Sequence, residues 1–107
     1  MKILFDQGTP VPLRRSLPDH QVDTAYELGW SQLANGDLLA AAETGGYELL
    51  LTTDRNLQYQ QNLAGRSIAI VVLLSTSWPR IQQHIPEIQT VITSIAPGAY
   101  REIAIAR

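Results

Sequence analysis

Apolar positions in this chain come in short blocks separated by polar, turn-forming residues. The first block, KILF (residues 2–5), runs straight into DQGTP. It predicts a buried strand, a turn, and a short helix near residues 10–17, where proline suits the first helical turn. QVDTAY (21–26) predicts a short second strand, and GWSQLANG (29–36) a glycine-punctuated loop. A helix is expected from Asn35, with Asn35 as its N-cap, Asp37 in the first turn and strong helix formers in DLLAAAET. Gly45 and Gly46 stop it. YELLLTT (47–53) predicts a third strand, and NLQYQQNLAG (56–65) a short helix closed by Gly65.

IAIVVLL (68–74) is apolar at every position, as expected of a strand covered by helices on both faces. STSWPRIQQHIPEIQTVITSI (75–95) predicts a long helix with Ser77 as N-cap. Ile81, Ile85, Ile88, Val91, Ile92 and Ile95 recur there at spacings of three and four. Pro86 interrupts that pattern and predicts a kink or break. YREIAIA (100–106) alternates as a last, edge strand. Strands and helices therefore alternate along the chain, which implies an α/β fold: a mostly parallel sheet of about five strands with helices on both faces, a three-layer α/β/α domain spanning residues 1–107.

Composition changes this picture little. The chain is 45% hydrophobic and 17% charged, ordinary values for one globular domain of 107 residues. The longest apolar run falls far short of the roughly 20 residues that a membrane-spanning helix needs. No signal-peptide pattern opens the chain, so no membrane association is expected. There is no cysteine, which removes disulfides and thiolate metal sites and fits a cytoplasmic protein. A net charge of −2 gives no global basic signal for nucleic acid, although a local basic patch can serve that purpose.

The chemistry suggested by the pattern lies where apolar blocks end. Asp6 closes the first block and Asp54 the third, and both directly follow predicted parallel strands. Open α/β sheets bind ligands outside the carboxyl ends of their strands, near a topological switch point. Asp37 opens the helix that leads into the strand ending at Asp54. If the first and third strands are neighbours, three carboxylates converge and repel one another, and a hard cation relieves that repulsion. Such a cation orients a phosphodiester, stabilises developing charge and acidifies a bound water. For each aspartate alone, a turn or capping role is the plain alternative, so the reading depends on all three occurring together.

NGDLLAAAETGGYELLLTTDRNL (35–57) resembles the metal-site segment of PIN-domain nucleases. In that family an aspartate opens an alanine-rich helix, a glycine turn follows, and an apolar strand ends in TxD or a close variant. With ILFDQGTP (3–10), the chain looks most like the short PIN-like proteins that omit part of the usual insertion. The likeness covers most of the chain, but beyond Ser77 it is one of pattern only. The resemblance implies a Mg²⁺- or Mn²⁺-dependent endoribonuclease, a hydrolase that is the toxin of a toxin–antitoxin module. Its partners would be an RNA substrate and a small antitoxin protein. Asp6, Asp37 and Asp54 would be the catalytic, metal-binding acids, with Thr52 and Thr53 positioning Asp54. LLSTSW (73–78) resembles the strand end where such proteins place a hydroxyl, which makes Ser75 and Thr76 candidates. The chain departs from the family in two ways. It has no equivalent of a further glutamate found in full-length PIN domains, and DQG stands where short relatives often carry DEN. Gln7 can still ligate through its carbonyl oxygen, with less charge.

Arg14 and Arg15 on the first helix, and Arg55 beside Asp54, are candidate phosphate contacts, set against a solvated helix face for the first two. Arg80 is placed near the site rim. Tyr26, Trp30, Trp78 and Tyr59 could stack on or bond to unpaired bases, or pack at core edges. For His20 and His84 a catalytic base or ligand role would need a partner that the sequence does not supply, and Glu27, Glu43 and Glu48 read as solvent-facing. The isoleucine-rich helix and last strand could leave apolar surface for a homodimer. A second reading keeps the fold with catalysis weak or lost, as an RNA- or protein-binding module, and DQG favours it. A third, a phospho-acceptor domain, needs a lysine at a later strand end. The only lysine is Lys2, at the start of the first strand.

Overall fold

The computed structural model describes residues 1–105, and Ala106, the end of the expected last strand, lies outside them. Five strands form one all-parallel sheet: β1 (Lys2–Phe5), β2 (Gln21–Thr24), β3 (Leu49–Thr52), β4 (Ala69–Leu73) and β5 (Tyr100–Ile103), in the order β2-β1-β3-β4-β5. β3 and β4 are buried at every position because helices cover both faces of the sheet.

Alternation along each strand divides the core in two. Ile3 and Phe5, Leu49 and Leu51, and Ala69, Val71 and Leu73 face one side. There they pack against Leu13 of a 3₁₀ helix (Val11–Ser16), Ile81 of α3 (Trp78–Gln82) and Ile88, Val91 and Ile92 of α4 (Ile85–Ser94). Leu4, Leu50, Ile70 and Val72 face the other side, against Leu38, Leu39 and Ala42 of α1 (Asn35–Thr44) and Leu57 of α2 (Leu57–Gln60). The expected three-layer arrangement of an α/β fold is therefore present.

Local chemistry accounts for the departures from the expected elements. The first helix is 3₁₀ rather than α. The long helix is broken into α3 and α4. Pro86 has no N–H to donate, and its ring would crowd the carbonyl four residues back, at Gln82, where α3 stops. Pro86 then sits in the first turn of α4, a position that tolerates it. Ser77 caps α3, accepting from the Arg80 N–H at 3.4 Å. Asn35 is not a cap: Ala34 holds that position and Asn35 is the first helical residue.

The apolar stripe of α4 is spent on the sheet. Its outer side carries Glu87, Gln89, Thr90, Thr93 and Ser94, all exposed, so the isoleucine-rich helix does not offer the apolar dimer surface its sequence suggested. The edge strand β5 turns the exposed Arg101 and Glu102 outward, a charged edge that discourages pairing with another chain. Among the described residues no helix is long and apolar enough to cross a membrane.

Two left-handed glycines set strand entries. Gly46 (φ +81°) turns α1 toward β3 with open space around it, whereas Gly98 (φ +75°) leads into β5 with a would-be Cβ only 2.8 Å from the Arg66 carbonyl oxygen. Gly46→Ala is expected to cost about 1–2 kcal/mol, the penalty of an L-residue in that region. Gly98→Ala is expected to cost more, because backbone must also move. Urea midpoints of the two variants check this, and equal losses would show that the contact at Gly98 is relieved without strain.

Candidate functional site

In this strand order the connection after β2 passes to the other side of β1, so β1 and β3 are neighbours whose following segments leave toward opposite faces. That divergence opens a crevice at their carboxyl ends. The register Leu4↔Leu50, Phe5↔Leu51, carried one residue further, sets Asp6 opposite Thr52. The ladder does continue, since the Asp6 N–H donates to the Leu51 carbonyl at 2.9 Å. Thr9 fastens the turn that follows: its buried hydroxyl donates to the same carbonyl at 2.8 Å, and its N–H to the Asp6 carbonyl at 3.0 Å.

One hydroxyl joins the two strand-end aspartates. Thr52, 1% exposed, donates through Oγ1 to Asp6 Oδ2 at 2.8 Å and accepts from the Asp54 N–H at 3.1 Å. The other Asp6 oxygen, Oδ1, accepts from the Gln7 N–H at 2.8 Å. Asp54 Oδ1 accepts from the Asn56 N–H at 2.9 Å and Oδ2 from Asn35 Nδ2 at 3.1 Å. Each of the four carboxylate oxygens thus accepts one hydrogen bond, and each retains a lone pair.

The helix α1 therefore reaches Asp54 through Asn35, which explains why Asn35 is not a cap. Asp37 lies two residues on, roughly 200° further round a helix of 3.6 residues per turn, and is exposed. Among the described residues no group of three or more histidines, aspartates or glutamates stands together to hold a metal ion. The site as it stands is two carboxylates, a threonine and an asparagine. Thr53, next to Thr52, points away from them toward Gly8, where an added Cβ would come within 2.5 Å of Thr53 Oγ1. A side chain at position 8 would thus make the Thr53 hydroxyl shift.

Two cavities flank this link. The first, about 470 Å³, is lined by Asp6, Gln7, Thr9, Arg14, Tyr26 and Glu27, among others. Arg14 is committed there: Nη1 and Nη2 meet Glu27 Oε2 and Oε1 at 3.2 and 2.6 Å. Glu27 also accepts from the Thr24 N–H at 3.0 Å. These bonds, first the one from Arg14 and then that from Thr24, hold the Glu27 carboxyl below its ordinary pKa. Glu27 is thus a partnered residue rather than a merely solvated one. Arg15 is exposed on the 3₁₀ helix, and Tyr26 is 77% exposed at the cavity rim. The second cavity lies beyond Asp54 and takes in Thr53, Arg55, Ser75, Thr76 and Arg80.

Most of the remaining candidates have structural partners. Trp30 packs edge-on against Tyr47, with ring centroids 6.1 Å apart, and Trp78 packs on the opposite core. Tyr47 donates to Asp23 Oδ2 at 2.7 Å, and burial, followed by that bond, pushes its pKa up to about 12. Burial and the bond to Glu102, with smaller contributions from Tyr59 and Asp54, also raise the Tyr100 hydroxyl well above its ordinary value. His84 Nδ1 lies 3.3 Å from Glu87, and His20 is half-buried with Nδ1 unpaired. Glu43 is half-buried and holds Arg66 and Ser67. Burial alone would raise its pKa, but those hydrogen bonds outweigh burial and lower it. Thr9 and Asn35 are the site residues that sequence reasoning overlooked. Asn35 carried a misleading signal, its capping propensity, and Thr9 carried none.

Two measurements test this construction. Thr52→Val keeps the shape but strands the Asp54 N–H and one Asp6 oxygen, so a loss of about 1–3 kcal/mol is expected in urea unfolding. A neutral effect would mean the hydroxyl joins nothing of consequence. Because the Glu27 carboxyl is lowered on folding, its contribution is complete above its unfolded value of 4.5 and is lost as pH falls through the lower, folded value. Arg14→Gln should return the Glu27 carbon resonance to a titration nearer 4.5, and a midpoint that stays put would assign the shift elsewhere.

The chain matches no protein-family model, no curated protein and no solved structure.

Proposed function

We propose that the protein is a PIN-like, divalent-cation-dependent endoribonuclease whose centre is the Asp6–Asp54 pair. The observation that carries this reading is the Thr52 hydroxyl, which ties two aspartates from distant points of the chain together at the β1/β3 crevice. The residues suit a hard cation. Two carboxylates with lone pairs to spare match what Mg²⁺ takes from protein, the rest of its shell being water and substrate phosphate. Asp6 and Asp54 would hold Mg²⁺ or Mn²⁺, which supplies Lewis-acid stabilisation of phosphodiester charge and an acidified water. Thr52, Asn35 and the Asn56 N–H fix the two carboxylates, as outer partners of metal ligands do. Thr9 holds the turn beside them, and Gln7, exposed on the adjacent cavity, offers an amide toward the substrate. Arg14 is occupied by Glu27 and orients the cavity wall, which leaves phosphate contact to Arg55.

The resemblance extends the proposal to a toxin of a two-protein module, neutralised by a small antitoxin and active as a homodimer in the cytoplasm. An adjacent reading frame encoding a small protein that co-purifies with this chain and suppresses cleavage would support that extension.

A second reading has its own support. Asp37 turns away and Gln7 stands where an acid is usual, so among the described residues only two carboxylates meet there to gather a cation. On this reading the same surface binds RNA or protein without cleaving.

Mn²⁺-stimulated cleavage of single-stranded RNA separates the two. The nuclease reading expects Asp6→Asn and Asp54→Asn each to abolish it and Asp37→Asn to reduce it less, because Asp37 stands apart. Thr52→Val is expected to lower activity about 10–100-fold, the range for an outer partner of a ligand. Binding of RNA with no cleavage at any Mn²⁺ concentration would establish the second reading instead.

A further inference from the structure

We infer that the cavity on the β4 side of Asp54 is a phosphate-binding subsite for an internal phosphodiester of the bound strand. The cavity, about 460 Å³, gathers Arg55, Arg80, Thr53, Ser75 and Thr76, with Leu74 and Ile105 completing its described lining. Its described lining contains two guanidiniums and no carboxylate.

That is unusual in this chain, where acids outnumber lysine and arginine by 10 to 8. Arg14 and Arg66 have each found a glutamate. Among the described residues Arg55 has not: one nitrogen, Nη2, donates to the Leu74 carbonyl at 2.7 Å, which aims the guanidinium but pairs it with no carboxylate. Among the described residues the Arg80 side chain has no hydrogen-bond or ion-pair partner. Two like charges sharing a cavity repel, and an oxyanion placed between them converts that repulsion into two attractions. The guanidinium fork fits phosphate oxygens in pairs, and hydroxyls add donors that carry no charge. Ser75 accepts from the Ser77 N–H at 3.0 Å, so its own proton remains to be given. The cavity would thus meet a phosphate with up to five donor side chains and repel a cation.

Sequence adjacency says which phosphate. Thr53 and Arg55 are the two neighbours of Asp54, so a phosphate held here lies beside the one at the aspartate pair. The Asp6 cavity lies on the other side. A strand crossing the sheet end would run from one cavity, past Asp6 and Asp54, into the other. Only this assignment to a nucleic-acid strand rests on the proposed function; the preference for a phosphate oxyanion does not.

The test is binding in EDTA, where cleavage does not intervene. The probes are inorganic phosphate, followed through the amide resonances of Thr53, Ser75 and Thr76, and a labelled single-stranded RNA with hydroxyl ends, followed by anisotropy. Wild type is expected to bind both. Arg80→Gln, whose side chain holds nothing in place, should keep the urea midpoint while weakening RNA binding about tenfold, the equivalent of one charge-assisted contact. It should also reduce the salt slope by about 0.7, the value for one phosphate on a single strand. Arg55→Lys, which keeps the charge and loses the fork, provides a second variant. Unchanged binding in Arg80→Gln and Arg55→Lys, or no binding of either probe by wild type, overturns the subsite. A loss seen only with 5′- or 3′-phosphorylated RNA overturns the internal placement in favour of a chain end. A protein that cleaves nothing but still loses RNA affinity through Arg80 would sink the nuclease proposal and leave the subsite standing.

Discussion

The parallel register between β1 and β3 is the constraint on which the rest of the site depends. Side chains alternate along a strand, so one residue of slip would turn Asp6 and Thr52 to opposite faces and part them. Both faces of β1 and β3 are apolar and buried, so alternation alone does not choose the register; it is held by the close fit of Leu4 and Leu50 on one side and Phe5 and Leu51 on the other, and by the Asp6 N–H and Thr9 hydroxyl, which both donate to the Leu51 carbonyl. Packing thus places the polar pair, and the Thr52 hydroxyl then uses it, giving its proton to Asp6 and receiving one from the Asp54 backbone. A buried hydroxyl with both capacities used costs little, whereas an unpaired one would be expensive.

Electrostatics divides the strand ends into two regions. On the β2 side, Arg14 and Glu27 neutralise each other at the wall of a cavity that also contains Asp6. On the β4 side, Arg55 and Arg80 face one cavity with no acid in its described lining. The Asp6–Asp54 link lies between. A modest net charge of −2 conceals this arrangement, because an average over 107 residues says nothing about which charges have met a partner.

The same accounting bears on assembly. The isoleucines that make residues 81–95 look like spare apolar surface are largely consumed by the sheet, and polar side chains cover the outer side of α4. A second copy meeting the outer side of α4 would find polar side chains there, not isoleucines.

Much of the fold was legible before any coordinates. Period-two and continuous apolar blocks located all five strands, Gly45 and Gly46 ended α1, and Pro86 marked the break between α3 and α4, because these signals act within a few residues of themselves. The two strand-end aspartates were legible for the same reason. What the sequence could not convey was direction and company. Asn35 carries the signal of a cap, yet its amide turns to Asp54, nineteen residues away. Asp37 reads as a third ligand, yet helical rotation points it to solvent. Glu27 is solvent-facing as read and Glu43 is half-buried instead, yet each holds an arginine that the sequence did not disclose. The sequence alone determined which elements form and where carboxylates interrupt them, since propensity and periodicity are local. Tertiary structure decided which of those carboxylates meet, because that depends on strand order, register and helix phase, which arise only when distant segments pack.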